Sequence, residues 1–165
     1  IRAAVSAIMA ASTGPAATRA ISALHSAVAA DTATFCLSEV KLGLIPAVIS
    51  PYVVRAMGER AARRYFLTAE IFDAHEALRL GLAHALAAPE ALDAVVEGIV
   101  GKLLAAGPAA TAECKALIAR VAAGPVDAAM IADTAARIAR IRVSAEGREG
   151  IAAFLAKRKP DWTAR

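Results

Sequence analysis

One carboxylate stands out by its setting. Glu39 follows a short apolar run and precedes a loop containing Gly43 and Pro46, in the stretch Phe35-Cys-Leu-Ser-Glu-Val-Lys-Leu-Gly-Leu-Ile-Pro46. A carboxylate at a strand end beside a tight apolar loop is expected to lose part of its water. Desolvation favours the protonated acid, which suits such a group to exchanging protons near neutral pH. Two plainer roles compete for the same residue: an ion pair with Lys41, or a helix cap. The other reactive side chains are dispersed. Cys36 and Cys114 show no CxxC or Cys/His ligand spacing, and His25, His75 and His84 show no metal spacing. The expectation is two reduced, buried thiols in a cytoplasmic compartment, and no metal.

The elements that position these residues must come from an aromatic-poor chain. Of 165 residues 58% are hydrophobic but only 4% aromatic, so one core built of Ala, Leu, Ile and Val is expected. Charged residues make up 21%, and no run approaches the ~20 apolar residues of a spanning helix, so the chain is expected to be soluble, with no membrane partner. The opening residues lack the Leu-rich centre of a secretory signal, and the missing initiator Met points to a fragment or a trimmed chain. The net charge is +4, densest at Arg55, Arg60, Arg63 and Arg64. That cluster reads as a solvated helix face, or as an attractor of a phosphorylated ligand. No aromatics interleave with it, so nucleic acid is not an expected partner.

Residues 1–30 are Ala-rich with a Gly14-Pro15 break, and propensity favours two short helices there. Residues 33–37 read as a buried strand and 41–46 as a loop. Ser50-Pro51 opens a helix that Gly58 stops, followed by helices over 59–68 and 73–79 and a strand over 82–86. Leu92, Val95, Val96, Ile99, Val100, Leu103 and Leu104 then fall on one face of an amphipathic helix. Gly107-Pro108 and Gly124-Pro125 separate two more. The first has Leu117, Ile118 and Val121 as its buried side; the second carries Val126, Met130, Ile131, Ile138 and Ile141. Ser144 can cap a last helix ending at Leu155.

Four segments, in order, resemble the crotonase (enoyl-CoA hydratase/isomerase) family. They are Ala-Ala-Asp-Thr-Ala-Thr-Phe-Cys-Leu-Ser-Glu-Val-Lys-Leu-Gly-Leu-Ile-Pro at 29–46, Arg-Ala-Met-Gly-Glu-Arg-Ala-Ala-Arg-Arg-Tyr-Phe-Leu-Thr-Ala-Glu at 55–70, Asp-Ala-His-Glu-Ala-Leu-Arg-Leu-Gly-Leu-Ala-His at 73–84, and the tail Glu-Gly-Ile-Ala-Ala-Phe-Leu-Ala-Lys-Arg-Lys-Pro-Asp-Trp at 149–162. The resemblance implies an α/β crotonase-like spiral lacking its N-terminal part, mainly helical with a few short strands. Its organisation would be a divergent segment at 1–26, the C-terminal part of the crotonase core at 27–88, and a helical oligomerisation region at 89–165.

By the same resemblance, the partner is an acyl-CoA thioester and the assembly a homo-oligomer, trimer or hexamer. No cofactor is implied, because the substrate itself carries coenzyme A. Family members hold the thioester oxygen between two backbone N–H groups that stabilise an enolate. Glu39 matches the second of the two glutamates that hydratases use. Ile45, Pro46 and Ala47 match substrate-contacting positions, and Phe154 and Lys157 lie in the helix that reaches the CoA pocket in relatives. Ala47-Val-Ile-Ser-Pro-Tyr52 is similar to bacterial hydratases of branched acyl-CoA, such as methylglutaconyl-CoA in leucine breakdown. Upstream the match departs: Pro15-Ala16-Ala17 stand in place of a glycine run, and Arg19 in place of the first glutamate. The implied function is enoyl-CoA hydration by an incomplete or impaired enzyme. The alternatives are enoyl-CoA isomerisation by one glutamate, or a non-catalytic oligomerising subunit.

Overall fold

Where it is described, the Ala-rich chain before Asp31 forms strands rather than the helices that propensity favours. In the computed structural model, which describes residues 18–21 and 26–164, β1 (Thr18–Ile21) and β2 (Ser26–Ala30) pair antiparallel, Thr18 opposite Ala29 and Ile21 opposite Ser26. β2 also pairs in parallel with β5 (Ala85–Ala87), Val28 opposite Ala85 and Ala30 opposite Ala87. The correction has a tertiary cause. β2 is the central strand of this sheet, and Val28, Ala29 and Ala30 are buried in it, so long-range pairing overrides alanine's local preference. Of the two helices expected over 1–30, the parts over residues 1–17 and 22–25 lie outside the described residues.

Parallel strands need a long crossover. Here it is residues 31–84, and it carries Glu39. Both ends of the β2–β5 ladder are extended by further bonds. Asp31 N–H donates to Ala87 O at 2.9 Å. At the other end His84 N–H donates to Ala27 O at 2.8 Å, and Ala27 N–H donates back to His84 Nδ1 at 3.2 Å. Inside the crossover, β3 (Thr34–Phe35) pairs antiparallel with β4 (Phe72–Asp73), Phe35 opposite Phe72. Their rings stack at 5.6 Å between centroids, and Tyr65 tilts against Phe72 at 4.3 Å. All three are buried. β4 has only two residues, too short to leave a periodic signal; the strand expected over 82–86 sits at Ala85–Ala87.

α1 (Ser50–Thr68) begins at Ser50-Pro51, although Ile49 rather than Ser50 takes the N-cap position and no side chain caps it, and breaks at Gly58, whose φ of 77° and ψ of 159° are essentially closed to residues with a Cβ. The two segments, 50–57 and 59–68, are the two helices expected from the sequence. They bury Val53, Met57, Ala62 and Tyr65. α2 (Ala74–Arg79) is capped by Asp73, whose side chain accepts from Glu76 N–H at 2.8 Å.

The chain divides into two compact units, one up to Gly98 and the other from Ile99, and the division falls within α3 (Leu92–Leu104). The second unit holds α4 (Pro108–Ala122), α5 (Ala128–Arg142), α6 (Ala145–Leu155) and a 3-10 turn at Asp161–Ala164. Local signals set its boundaries. Gly107-Pro108 starts α4, Asp127 accepts from Met130 N–H to cap α5, and Ser144 accepts from Gly147 N–H to cap α6. Val126, expected within α5, precedes it and is exposed. The first turn of α4 is capped from α6: Glu146 accepts from Ala109 N–H at 2.9 Å and from Ala110 N–H at 2.7 Å. Arg137 ties α5 to α4 by donating to Glu113 at 2.7 Å, while also reaching Asp133 on its own helix at 3.1 Å.

The amphipathic helices form, but their apolar faces are not all buried within the chain. Ile118, expected inside, is 70% exposed, and Val121, Ile131 and Ile138 are also exposed. On α3 only Leu92 is buried, and Leu104 stands open. Within the second unit, α4, α5 and α6 leave part of their apolar stripes uncovered. Among the described residues no single helix is long and apolar enough to cross a membrane.

Candidate active site

Four residues beyond the end of β3, the backbone closes into a 3-10 turn, Glu39–Leu42. Gly43 ends it in the left-handed region, φ 71°, where a glycine fits without strain. Gly43 N–H donates to Val40 O at 3.2 Å and Leu44 N–H to Glu39 O at 3.0 Å. The turn is therefore pinned through the backbone of Glu39, leaving its side chain to other work. That side chain is half-buried, and its Oε2 is fully buried without a hydrogen-bond partner among the described residues. It is the only such side-chain atom there. Neither plainer role holds among the described residues: Glu39 makes no ion pair with Lys41 and caps no helix. Leaving a buried polar atom unsatisfied costs about 1–3 kcal/mol, so such an atom calls for an explanation.

The loop after Gly43 is held by its own backbone. Ala47 N–H donates to Ile45 O at 2.8 Å, Ser50 N–H to Pro46 O at 3.0 Å, and Ser50 Oγ to Ala47 O at 2.9 Å. Pro46 is buried, while Ala47 is exposed and Ile45 is 74% exposed. Leu42, Leu44 and Val48 are exposed as well. An ordered loop thus turns four large apolar side chains outward within a short stretch of chain, close in sequence to a carboxylate oxygen that lacks a hydrogen-bond partner. Such a surface suits an apolar ligand group. Glu39, Ile45, Pro46 and Ala47 belong together in the first unit.

Phe154 and Lys157 stand in the second unit, at the C-terminal end of α6. The Phe154 ring is 81% exposed, and Lys157 is exposed with a left-handed backbone, φ 51°.

Two polar networks have no signature in the sequence. In the first unit, Arg79 donates to Glu76 through Nε and Nη2, both at 2.6 Å, and Tyr65 Oη donates to the same carboxylate at 2.9 Å. The Arg79 bonds, chiefly, hold the Glu76 carboxyl at about 2, and burial pushes the Tyr65 phenol up. In the second, Arg158 grips Glu149 with two bonds and holds its carboxyl at about 2. No helical or strand period links 65 with 76 or 149 with 158, so only the fold reveals these pairs. Cys36 and Cys114 are free thiols; Cys36 is half-buried and donates to Ala69 O at 3.4 Å, and Cys114 is exposed rather than buried.

A family model described as enoyl-CoA hydratase/isomerase matches residues 5–165. The chain belongs to the enoyl-CoA hydratase/isomerase family. A solved enoyl-CoA hydratase from Shewanella pealeana is 53% identical, with a TM-score of 0.75 over 82% of this chain and 50% of that one. Among curated proteins, the enoyl-CoA hydratase AKT6-1 of Alternaria alternata is 38% identical over 80% of this chain and 44% of its own length. A crotonyl-CoA hydratase of Syntrophomonas wolfei is 32% identical over 82% and 52%. The chain thus spans about half the length of the relatives it matches.

Family membership confirms the crotonase-type fold, mainly helical with few short strands. It also makes acyl-CoA thioesters the substrate class of the family to which the chain belongs. Of the upstream family positions, Pro15, Ala16 and Ala17 lie outside the described residues. Arg19, which the resemblance sets in place of the first glutamate, lies in β1 opposite Val28.

Proposed function

We propose that the chain is an enoyl-CoA hydratase subunit in which Glu39 moves the proton at C2 of the acyl group. The observation that carries this reading is the buried, unpartnered Oε2 of Glu39 on a backbone-pinned turn. Hydration adds the oxygen of water to C3 and a proton to C2. A carboxyl group with one oxygen free of protein partners can give that proton, and in the reverse direction take it. The outward Leu42, Leu44, Ile45 and Val48 receive the acyl chain, with Pro46 and Ala47 fixing the loop. By the family resemblance of their own segment, Phe154 and Lys157 are assigned to the nucleotide of coenzyme A, which enters as part of a substrate; no separate cofactor is assigned. The run Ala47-Val-Ile-Ser-Pro-Tyr52 supports a branched acyl group of the methylglutaconyl type.

Turnover of crotonyl-CoA and of a branched enoyl-CoA by the purified chain tests the assignment. Pro15 has no N–H to offer where the family places a glycine run. The loss of one oxyanion donor slows turnover roughly 100–1000-fold, so slow hydration at that level below a full-length hydratase is expected. Absence of both hydration and C2 proton exchange with either substrate overturns the reading. A second reading, isomerisation, draws on the family resemblance, which sets Arg19 in place of the first glutamate; a single carboxyl suffices to shuttle a proton between two carbons.

The exposed faces of Ile118, Ile131, Ile138 and Leu104 support a homo-oligomer, trimer or hexamer. Sedimentation at micromolar concentration should show association; a monodisperse monomer rejects it.

A further inference from the structure

The last residues of a chain are usually loosely held. Here they are bound at three points. Arg158 donates through Nη1 to Glu149 Oε1 at 2.6 Å and through Nη2 to Oε2 at 2.7 Å, with Asp161 Oδ1 at 3.3 Å from the same Nη1. Asp161 N–H donates to Glu149 Oε1 at 3.1 Å. Trp162 Nε1 donates to Ala105 O at 3.2 Å, and its ring lies so close to Gly150 that a Cβ there would sit 3.0 Å from it.

Between this clamp and the end of α6 stands Lys157. Its N–H donates to Phe154 O at 3.1 Å, and Arg158 N–H donates to Ala153 O at 3.0 Å, the bond that closes a left-handed helix end. Glycine is the usual residue in that conformation, and a lysine there carries backbone strain that its surroundings must offset. Half-exposed ion pairs contribute little to stability when taken singly. A fork that fills both oxygens of one carboxylate instead fixes direction.

We propose that Glu149 and Arg158 are positioning residues, whose paired fork holds the left-handed turn at Lys157 so that its ammonium meets a phosphate of coenzyme A. This rests on the reading of Lys157 given above. Arg158 keeps the Glu149 carboxyl at about 2, so the fork stays charged throughout the neutral range. A lysine at 158 keeps the charge but cannot form the fork.

The test uses the 165-residue chain, with free coenzyme A titrated calorimetrically, and the variants Lys157→Ala, Glu149→Gln, Arg158→Lys and the double variant Glu149→Gln/Lys157→Ala. Circular dichroism checks folding, and Arg158→Lys serves should Glu149→Gln not fold. Each single substitution is expected to weaken binding about tenfold, because a charge-assisted hydrogen bond to phosphate is either removed or misaimed. In the Lys157→Ala background, Glu149→Gln should add less than about twofold, since positioning has nothing left to position. Amide exchange at Arg158 should quicken in both clamp variants. Weak binding by Lys157→Ala with unchanged binding by folded clamp variants overturns the positioning role alone. So does a Glu149→Gln effect that persists undiminished without Lys157. No binding by the parent chain, or undiminished binding by Lys157→Ala, overturns the reading of Lys157 and this inference with it.

Discussion

Glu39→Gln is expected to lower exchange of solvent deuterium into C2 of a bound acyl-CoA at least about 100-fold. The substitution keeps the size of the side chain and the hydrogen bond between Leu44 N–H and the backbone oxygen of residue 39, so the turn should persist. What disappears is the titratable oxygen that the fold buries without a partner. Mass spectrometry of recovered acyl-CoA reads the exchange directly, whether or not net hydration is fast. Exchange at the parent rate in the folded variant would reduce Glu39 to a structural residue and leave its buried oxygen unexplained.

Phe72→Ala should destabilise the first unit by about 3–5 kcal/mol, the usual range for removing a buried aromatic ring. Phe72 faces Phe35 across the β3–β4 pairing and also carries Tyr65 from α1, so one side chain joins three elements. Phe35 is four residues from Glu39, so the damage should reach the turn that holds this carboxylate as well as the midpoint of denaturation. Urea unfolding followed by circular dichroism measures it; a shift below about 1 kcal/mol would mean that the aromatic cluster is not the keystone of this crossover.

The features legible in the sequence are those whose causes are local. Gly58, Gly107-Pro108 and Ser144 act on the backbone within a few residues, and each does in the structure what its chemistry implies. β2 is hidden from such a reading because its strand character comes from β5, on the far side of the crossover, while alanine by itself argues for helix. Ile118 and Ile138 belong to a true apolar pattern yet are not buried, since periodicity shows which face is apolar and not what covers it. Glu39 can be singled out because strand, carboxylate and glycine loop are contiguous. The Glu149–Arg158 fork cannot, because it depends on the tail folding back onto α6.

The cap that Glu146 supplies to α4 has a bearing on how the chain is made. Ala109 and Ala110 leave the ribosome well before residue 146, 37 and 36 positions later, so a nascent α4 has its first amides open to water. Helices of this length are marginal when alone. Synthesis therefore produces α4 first and secures it last, and the second unit gains its final order only once α6 has emerged.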